Sequence, residues 1–280
     1  MRPPGSPADS PRRTLAALGL SPRKSLGQNF LADRNVAGRI VALARSFPPP
    51  YLEIGPGLGA LTELLDDAGA PVVAVELDRG LAAHLRDRFA GGSVEIVEAD
   101  FLKVSPQEWR TRFPAGGTVV GNLPYSISSP SVLRLIELRE IFPRAVLMLQ
   151  REVVDRLCAG PGGKEYGVLS VYLGVLAEAR KEFVVRRACF HPAPDVDSAV
   201  MSVRFAGEYP EALVAALRTV VRAAFAHRRK TLRNAPVPFL RGGAAQWLEL
   251  LLAAGIDPAG RAEEVPPAAY LALARAFAGM

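Results

Sequence analysis

The sequence predicts an α/β fold in which a mostly parallel sheet carries helices on both faces and a small helical domain follows. Short apolar runs alternate with amphipathic stretches, which is the pattern of repeated β-α-β units. Glycine-rich, acidic and amide residues come directly after these runs, at the edge where open α/β sheets bind ligands. The predicted strands are Tyr51–Ile54, Val72–Val75, Val94–Val97, Thr118–Val120 and Ala145–Leu149.

The second half of the chain predicts how the sheet closes and where the helical domain begins. The runs Glu182–Val185 and Ala199–Phe205 are expected to form a closing antiparallel pair. Beyond Pro210 the chain is rich in Ala and Leu at helical spacing. We therefore expect a flexible tail over residues 1–22, an α/β domain over 23–206 and a helical domain over 207–280. The predicted helices of the last domain are Ala212–Ala226, Ala244–Ala254 and Pro267–Phe277.

The composition favours a globular protein with a polyanionic partner. The 280 residues include 34 Lys and Arg against 28 Asp and Glu, which leaves a formal charge of +6. The separate cysteines Cys158 and Cys189 and three scattered histidines predict neither a disulfide framework nor a metal site. Since no stretch suits a membrane span and the N-terminus lacks an apolar signal core, we expect a cytoplasmic protein, taken to be a monomer.

A glycine-rich turn follows the first predicted strand. Gly55, Gly57 and Gly59 let the backbone approach a ligand without Cβ interference, and the helix that begins after them adds unpaired N–H groups. Glu76 lies about 20 residues further on, where nucleotide-binding folds place the carboxylate for a ribose. The spacing fits a sulfonium cofactor, but with Ala60 it also fits the dinucleotide pattern.

Asp100 and Phe101 follow the third predicted strand and bear on the choice of cofactor. The carboxylate can accept hydrogen bonds from the amino group of an adenine, and the ring can cover the base. No neighbouring cluster suggests a nicotinamide site, so S-adenosylmethionine is favoured over NAD. The alternative for Asp100 is a helix or turn cap.

The tetrapeptide Asn122-Leu123-Pro124-Tyr125 ends the fourth predicted strand. The side-chain oxygen of Asn122 and a nearby backbone carbonyl can each accept one N–H of an exocyclic amine. Pro124 fixes the backbone without donating, and Tyr125 offers a ring on which a base can stack. These parts can hold the amino group of a flat heterocycle. The alternative is a turn with a packed aromatic.

Several blocks occur together in an order that resembles the ribosomal RNA adenine dimethyltransferase family. The resemblance is greatest to members that dimethylate two adjacent adenines near the 3′ end of 16S rRNA, and it runs from about Arg23 to Asn234. Each block is weak alone, but their joint order is specific. The blocks are Lys24–Leu31, Glu53–Gly59, Glu76–Asp78, Asp100-Phe101, Gly121–Tyr125, Gln150–Glu152 and Phe190–Ser198.

The resemblance implies a Rossmann-like class I methyltransferase fold, and it assigns a cofactor site for S-adenosylmethionine. Glu53 is expected to orient the glycine loop, whereas Gln150 and Arg151 are either structural or RNA-facing. The implied cofactor-binding residues are Gln28, Asn29 and Leu31 at the methionine end, Gly55 and Gly57 in the glycine loop, Glu76 at the ribose hydroxyls with its neighbour Leu77, Asp100 at the adenine amine with its neighbour Phe101, and Asn122.

The expected reaction has a specific obstacle, because the lone pair of an adenine amine is delocalised into the ring. We expect Asn122 and the carbonyl of Leu123 or Pro124 to accept both amino hydrogens and favour a pyramidal nitrogen. Rate then arises from positioning and from hydrogen bonds that strengthen as charge develops. Tyr125 is expected to stack on one face of the flipped adenine. The resemblance places Phe190 on the other face, although its surroundings alone suggest a core aromatic.

A basic cluster in the predicted helical domain is expected to contact the RNA backbone; the alternative is a solvated face. Site selection in the expected partner, 16S rRNA of the small subunit or its precursor, then comes from RNA shape. A large-subunit rRNA dimethyltransferase, an assembly factor that uses methylation as a release step and, remotely, an NAD oxidoreductase remain open. The cluster comprises Arg228, Arg229, Lys230 and Arg233, and in the tail Arg12, Arg13, Arg23 and Lys24 either contact phosphate or are solvated.

Overall fold

The computed structural model describes residues 10–23, 26–227 and 230–279, and the chain divides into two compact units. The first unit takes in the described residues up to Val154 together with Lys181–Val203, and the second comprises Asp155–Arg180 and the described residues from Arg204 onwards. The strands are β1 (Phe30–Leu31), β2 (Tyr51–Ile54), β3 (Val72–Glu76), β4 (Val94–Glu98), β5 (Thr118–Asn122), β6 (Arg144–Gln150), β7 (Ala177–Val185), β8 (Phe190–His191) and β9 (Ser198–Phe205). The helices up to residue 157 are α1 (Pro11–Ala17), α2 (Arg34–Ala44), α3 (Ala60–Asp66), α4 (Arg79–Arg88), α5 (Pro106–Arg112), α6 (Ser128–Glu137) and α7 (Arg151–Leu157).

Seven strands form one sheet in the order β4-β3-β2-β5-β6-β9-β7, and β1 pairs separately with β8. The pairings of β2 with β3, β2 with β5, β3 with β4 and β5 with β6 are parallel. Every residue of β2 and β3 is buried, because helices cover both faces of a parallel sheet, whereas the edge strands β4 and β7 are partly exposed. The predicted mostly parallel sheet with flanking helices is confirmed.

The strand order creates a crevice between β2 and β5. From β2 the chain adds β3 and β4 on one side and then returns to add β5 and β6 on the other side. Ile54 lies opposite Gly121 in the register, so Gly55 and Asn122 follow side by side at the carboxyl edge. Open α/β sheets bind their ligands at such a switch point.

The described part of the N-terminal segment differs from the predicted flexible tail. Pro11 stands at the start of α1, where its missing N–H costs no hydrogen bond. Leu15 is buried against Phe30, Leu58 and Leu81, and Leu20 packs against the same group. The sequence did not predict these contacts, because two leucines in a polar, proline-rich stretch give no signal of the apolar surface that they cover.

The second unit is helical and is built around large aromatic side chains. Tyr166 donates to the carbonyl of Val265 at 3.0 Å, Tyr270 to that of Ala262 at 2.9 Å, and all four residues are buried. Burial raises the pKa of Tyr166 to about 12. The helices of this unit are α8 (Val168–Leu176), α9 (Glu211–Phe225), α10 (Gly243–Ala253) and α11 (Pro267–Ala278).

The second unit includes Asp155–Arg180, which the sequence places within the α/β domain. The physical reason is that α8 is apolar on almost every side, and Val171, Tyr172 and Leu173 are all fully buried. Within this unit Tyr172 donates to the carbonyl of Arg218 in α9 at 3.3 Å. Among the described residues, no helix is long and apolar enough to cross a membrane.

Candidate active site

A cleft of about 230 Å³ lies at the carboxyl ends of β2, β3, β4 and β5. The structure brings together here every residue that the sequence predicts to bind the cofactor. All four residues of the tetrapeptide Asn122–Tyr125, which is expected to hold the adenine, also line the cleft. The predicted residues lining the cleft are Gln28, Asn29, Leu31, Gly55, Gly57, Glu76, Leu77, Asp100, Phe101, Asn122, Leu123, Pro124 and Tyr125.

Glu76 joins the glycine loop to the end of β3. Its Oε2 accepts from the backbone N–H of Gly57 at 3.0 Å, and its Oε1 accepts from the N–H of Asp78 at 2.9 Å. Burial raises the pKa of this carboxyl group, while the two backbone N–H groups favour its charged form. Because each carboxylate oxygen can accept more than one hydrogen bond, Glu76 can still receive the hydroxyls of a ribose.

Gly57 makes a close approach that only glycine can make. Its φ is 60°, and a Cβ there would lie 3.0 Å from the ring of Phe30. The loop therefore keeps its backbone against the wall of the cleft while Gly57 donates to Glu76. A side chain at this position would move either the ring or the loop.

Glu53 is buried beneath the loop and is bound to the helix that follows it. Its Oε2 accepts from the hydroxyl of Thr62 at 2.6 Å, and the residue is 1% exposed. Burial raises the pKa of Glu53 to about 7, and the nearby charge of Glu76 acts in the same direction. The predicted role of orienting the glycine loop remains a prediction, and the bond to Thr62 in α3 offers a means for it. Thr62 was missed, although a threonine on the buried face of an amphipathic helix is a usable signal.

Asp100 lines the cleft, and its two carboxylate oxygens have different neighbours. Its Oδ1 accepts from the N–H of Leu102 at 3.0 Å, and its Oδ2 lies 3.5 Å from Nζ of the exposed Lys103. The alternative of a turn cap is therefore present in the structure, and it does not exclude an amine at the second oxygen. Phe101 is buried against Trp109 at 6.1 Å between ring centroids, whereas Leu77 is 53% exposed.

Asn122 is oriented by the segment before β1. Its Nδ2 donates to the carbonyl of Asn29 at 3.1 Å, and the side chain of Asn29 donates to the carbonyl of Gly27 at 3.2 Å. Because the amide nitrogen is held on that side, Oδ1 is left as the acceptor, and no hydrogen bond within the described residues engages it. The structure thus leaves Asn122 one acceptor for an incoming N–H.

The two carbonyls considered for the second amino hydrogen differ in what they already bind. The carbonyl of Pro124 accepts from the N–H of Ile127 at 3.1 Å and from the hydroxyl of Ser128 at 3.4 Å. Leu123 donates its own N–H to the carbonyl of Met148 in β6 at 3.1 Å. That contact fixes the backbone of Leu123 to the sheet, and no hydrogen bond to the Leu123 carbonyl is found within the described residues, which leaves it the better candidate.

Tyr125 is held through its hydroxyl. The oxygen lies 3.1 Å from Oγ of Ser198, which is 1% exposed, at the start of β9. Burial raises the pKa of Tyr125, and the carboxylates of Asp197 and Asp195 act in the same direction, so the phenol stays neutral. The role of Ser198 was missed because its 73-residue separation from Tyr125 leaves no local pattern.

Phe190 does not line the cleft. It is 5% exposed and belongs to the core cluster that contains Leu31, Val36 and Val200. Pairing with Leu31 between β8 and β1 sets this position, and in this structure the ring packs as a core aromatic. The role that the resemblance gives Phe190, covering one face of the target adenine, remains a prediction.

The basic cluster is only partly described. Arg228 and Arg229 lie outside the described residues, while Lys230 and Arg233 are exposed. The segment is anchored within the second unit, because Leu232 is buried and its carbonyl accepts from Nε1 of Trp247 at 2.9 Å. The position of these cations is compatible with phosphate contact, which remains a prediction.

Two further predictions concern the end of β6 and metal binding. Gln150 is half-buried and Arg151 exposed, and the N–H of Arg151 donates to the carbonyl of Asp197 at 3.0 Å. Arg151 therefore has a structural backbone contact and an exposed side chain. In the described part of the chain, no group of three or more His, Cys, Asp or Glu residues could hold a metal ion.

Known structures share this fold. A crystal structure of the 23S rRNA methyltransferase ErmE matches with a TM-score of 0.67 and 28% identity, covering 89% of this chain and 99% of the other. A dimethyladenosine transferase from Plasmodium falciparum matches with a TM-score of 0.71 and 25% identity, covering 87% and 95%. The sheet, the helical second unit and these similarities define a Rossmann-like class I methyltransferase fold, as predicted.

The chain belongs to the ribosomal RNA adenine dimethylase family, whose model matches residues 19–278. The ribosomal RNA small subunit methyltransferase A of Geobacter sulfurreducens is 46% identical over 259 residues, covering 88% of this chain and 91% of the relative. The protein of the same name from Methylococcus capsulatus is 45% identical over 260 residues, covering 91% and 97%. These matches confirm the predicted class of enzyme, an rRNA adenine dimethyltransferase.

Proposed function

We propose that this enzyme transfers methyl groups from S-adenosylmethionine to the N6 amines of two adjacent adenines near the 3′ end of 16S rRNA. One observation carries the proposal. Acceptors suited to an adenosine, on Glu76 and Asp100, share a single cleft with the acceptor pair of Asn122 and Leu123. The cleft therefore offers a place for a cofactor and, beside it, a place for an exocyclic amine.

The residues present fit the cofactor. Both oxygens of Glu76 are fixed by backbone N–H groups, so the carboxylate is already oriented before a ribose binds. The exposed Leu77 supplies apolar surface next to it, and Oδ2 of Asp100 can accept an adenine amine. Gln28 and Asn29 offer polar groups at the other end. When bound, S-adenosylmethionine supplies an electrophilic methyl group.

This chain acts on the target adenine by holding its amine. Oδ1 of Asn122 and the carbonyl of Leu123 accept the two amino hydrogens, which favours a pyramidal nitrogen with a localised lone pair. The Asn29 carbonyl and the β6 backbone preorganise these acceptors, so little reorganisation is needed as charge develops on the nitrogen. Tyr125 contributes a stacking face rather than a base, because its phenol stays protonated.

The relatives' names decide which ribosomal RNA is proposed. The curated relatives cited above carry the small-subunit name at 46% and 45% identity, whereas the 23S enzyme is 28% identical. A large-subunit substrate is the second candidate, favoured by the close structural similarity to ErmE. An assembly role, in which the protein binds immature small subunits and methylation serves release, is compatible with the same site. A substrate on the ribosome implies a cytoplasmic location.

The test measures methyl transfer by the purified protein. Small and large subunits, each lacking the relevant methylations, are incubated with labelled S-adenosylmethionine, and the modified nucleotides are mapped by mass spectrometry. We expect dimethyladenosine at two adjacent positions of 16S rRNA and no label in 23S rRNA. Label confined to 23S rRNA would replace the small-subunit proposal with the second candidate.

A parallel calorimetric titration tests the cofactor site. We expect the wild-type protein to bind S-adenosylmethionine and Glu76→Ala to bind it at least tenfold more weakly, since a preorganised acceptor for two hydroxyls is lost. Thermal unfolding of both proteins provides the control for folding. Equal affinities would remove Glu76 from the ribose role.

A further inference from the structure

The N-terminal segment, residues 10–23, packs against one wall of the cofactor cleft. Leu15 of α1 and Leu20 contact Phe30, Leu58 and Leu81, and these three residues also line the cleft. The wall is thin, because Leu81 and Gln28 line both the cleft and a second cavity of about 170 Å³ whose other side is formed by this segment. A movement of the segment would therefore change the cleft directly.

Gly80 permits the segment to come this close. A Cβ at Gly80, in the first turn of α4, would lie 2.9 Å from Cδ2 of Leu20. Leu20 thus rests on the backbone of the helix that follows the ribose-side strand β3. The apolar contact places the next residues, including Arg23, beside the end of that strand.

Asp78 connects Arg23 and Gln28. It is 4% exposed, and its Oδ1 caps α4 by accepting from the N–H groups of Gly80 at 2.9 Å and Leu81 at 3.3 Å. Its Oδ2 lies 3.2 Å from the guanidinium of Arg23 and accepts from Nε2 of Gln28 at 3.3 Å. The backbone N–H of Arg23 donates in turn to Oε1 of Gln28 at 2.8 Å.

This triangle continues into the cofactor site. The N–H of Asp78 donates to Glu76, and the other oxygen of Glu76 accepts from Gly57 in the glycine loop. A single chain of hydrogen bonds therefore runs from the N-terminal segment to the predicted ribose carboxylate and the loop. Gln28, at the predicted methionine end, is held at both ends of its amide.

We propose that Arg23 and Asp78 are positioning residues for cofactor binding, forming with Gln28 a latch that holds the N-terminal segment on the cleft and orients the Gln28 amide. The proposal rests on the proposed function, because it takes the cleft to be the S-adenosylmethionine site. It gives Arg23 a role other than RNA contact: the guanidinium neutralises a buried carboxylate and allows that carboxylate to hold Gln28. Neither residue touches the reacting atoms.

The experiment measures cofactor affinity of the full chain by calorimetry for wild type, Arg23→Ala, Arg23→Lys and Arg79→Ala. Arg79 is the matched control, since it adjoins Asp78 in sequence and is exposed, and no salt bridge to it is found in the described residues. Because the Arg23 side chain is 56% exposed, the expected loss for Arg23→Ala is modest, roughly three- to tenfold. Arg23→Lys should recover part of it and Arg79→Ala should match wild type.

Two additional measurements separate positioning from a structural or RNA-binding role. Steady-state transfer should show a raised KM for S-adenosylmethionine in Arg23→Ala, with kcat at saturating cofactor within about twofold of wild type. Gln28→Ala and the double variant complete a cycle, and Arg23→Ala should add little once Gln28 is absent.

Each contrary result is distinct from failure of the proposed function, which would appear as no cofactor binding by the wild type. Wild-type affinity in Arg23→Ala would overturn the latch. Equal losses in Arg23→Ala and Arg79→Ala would reduce it to a general charge effect, and a loss of RNA affinity alone would make Arg23 a phosphate contact. Fully additive losses in the cycle would show that Arg23 does not act through Gln28.

Discussion

Asn122 has its amide nitrogen bound to the carbonyl of Asn29 and its side-chain oxygen available on the side of the cleft. Because the nitrogen is bound and the oxygen is available, the side chain is suited to accept a hydrogen bond from an exocyclic amine. The nitrogen end sets the orientation through a backbone contact from a segment 93 residues away, and the oxygen end accepts from the substrate. The role in catalysis remains a prediction, and it has a specific signature.

Asn122→Ala should depress single-turnover methyl transfer by roughly 10²–10³, which is the effect of losing one preorganised transition-state hydrogen bond. Binding of the RNA substrate should barely change, because the bond matters most as the nitrogen becomes pyramidal. The assay is labelled-methyl transfer to undermethylated small subunits, with cofactor affinity measured alongside to detect any shift of Asn29. Near-normal transfer would end the proposed mechanism.

Tyr125 separates ring stacking from hydroxyl chemistry. Tyr125→Ala should lose about 1–3 kcal/mol of base stacking and slow transfer accordingly. Tyr125→Phe keeps the ring and gives up only the contact with Ser198, so it should stay largely active, and Ser198→Ala should match it. These rates come from the same transfer assay. An inactive Tyr125→Phe variant would show that the hydroxyl is required.

Glu53 predicts a pH dependence of stability. Its pKa is raised to about 7 in the folded chain from an ordinary 4.5, so between these values the folded state binds more protons than the unfolded state. Its contribution is therefore favourable below about pH 4.5 and is lost as pH rises through about 7. Glu53→Gln keeps an acceptor for Thr62 and should remove this loss, gaining up to about 3 kcal/mol at pH 8 relative to pH 4.5.

Urea unfolding of the wild type and Glu53→Gln from pH 4.5 to 8 gives the comparison. Glu76 also has a raised pKa, but it is present in both proteins, so its slope is common to them. Curves that run parallel across this range would mean that Glu53 is ionised at its ordinary pKa in the folded chain.

At the scale of elements, the glycines of helices α2 and α8 differ in the space around them. Gly38 in α2 has nothing within 4 Å of an added Cβ, whereas at Gly174 in α8 the Cβ would lie 2.7 Å from the ring of Pro267. Pro267 begins α11 and its ring cannot rotate away. The close contact of α8 with α11 therefore depends on the missing side chain.

Gly38→Ala should stabilise the protein by about 0.5–1 kcal/mol, the ordinary gain from replacing glycine inside a helix. Gly174→Ala should instead destabilise it by roughly 1–3 kcal/mol, as overpacking a fitted contact does. Equilibrium urea unfolding of the two variants measures both. Stabilisation by Gly174→Ala would mean that α11 can shift without loss.

At the scale of the whole molecule, the formal charge of +6 predicts binding to RNA that weakens with salt. The exposed Lys230 and Arg233, with Arg228 and Arg229, are the predicted phosphate contacts. Replacing all four with alanine should reduce the slope of log affinity against log salt by about three, at roughly 0.7–0.9 per contact. Filter binding to small subunits at several salt concentrations measures the slope. Arg45→Ala removes an exposed charge elsewhere and should leave the slope unchanged. An unchanged slope in the four-residue variant would mean that the cluster is a solvated surface without phosphate contacts.

The sequence alone determined the mostly parallel sheet, the position of the site at the strand ends, and the enzyme class. Apolar runs of strand length and period-3.6 stretches are local signals, so β2, β3 and β5 could be placed within a residue or two. The cofactor residues follow strand ends, and because parallel strands bring their carboxyl ends to one edge, residues far apart such as Gly55 and Asp100 could be predicted to meet.

The tertiary structure decided contacts between segments that carry no local pattern. It decided that Phe190 packs in the core, that Ser198 holds Tyr125, that α1 covers a wall of the cleft and that Asp78 joins Arg23 to Gln28. Each depends on the exact meeting of two side chains from distant parts of the chain. Such a meeting is set by packing and by the satisfaction of buried polar groups in three dimensions, and periodicity along the sequence does not encode it.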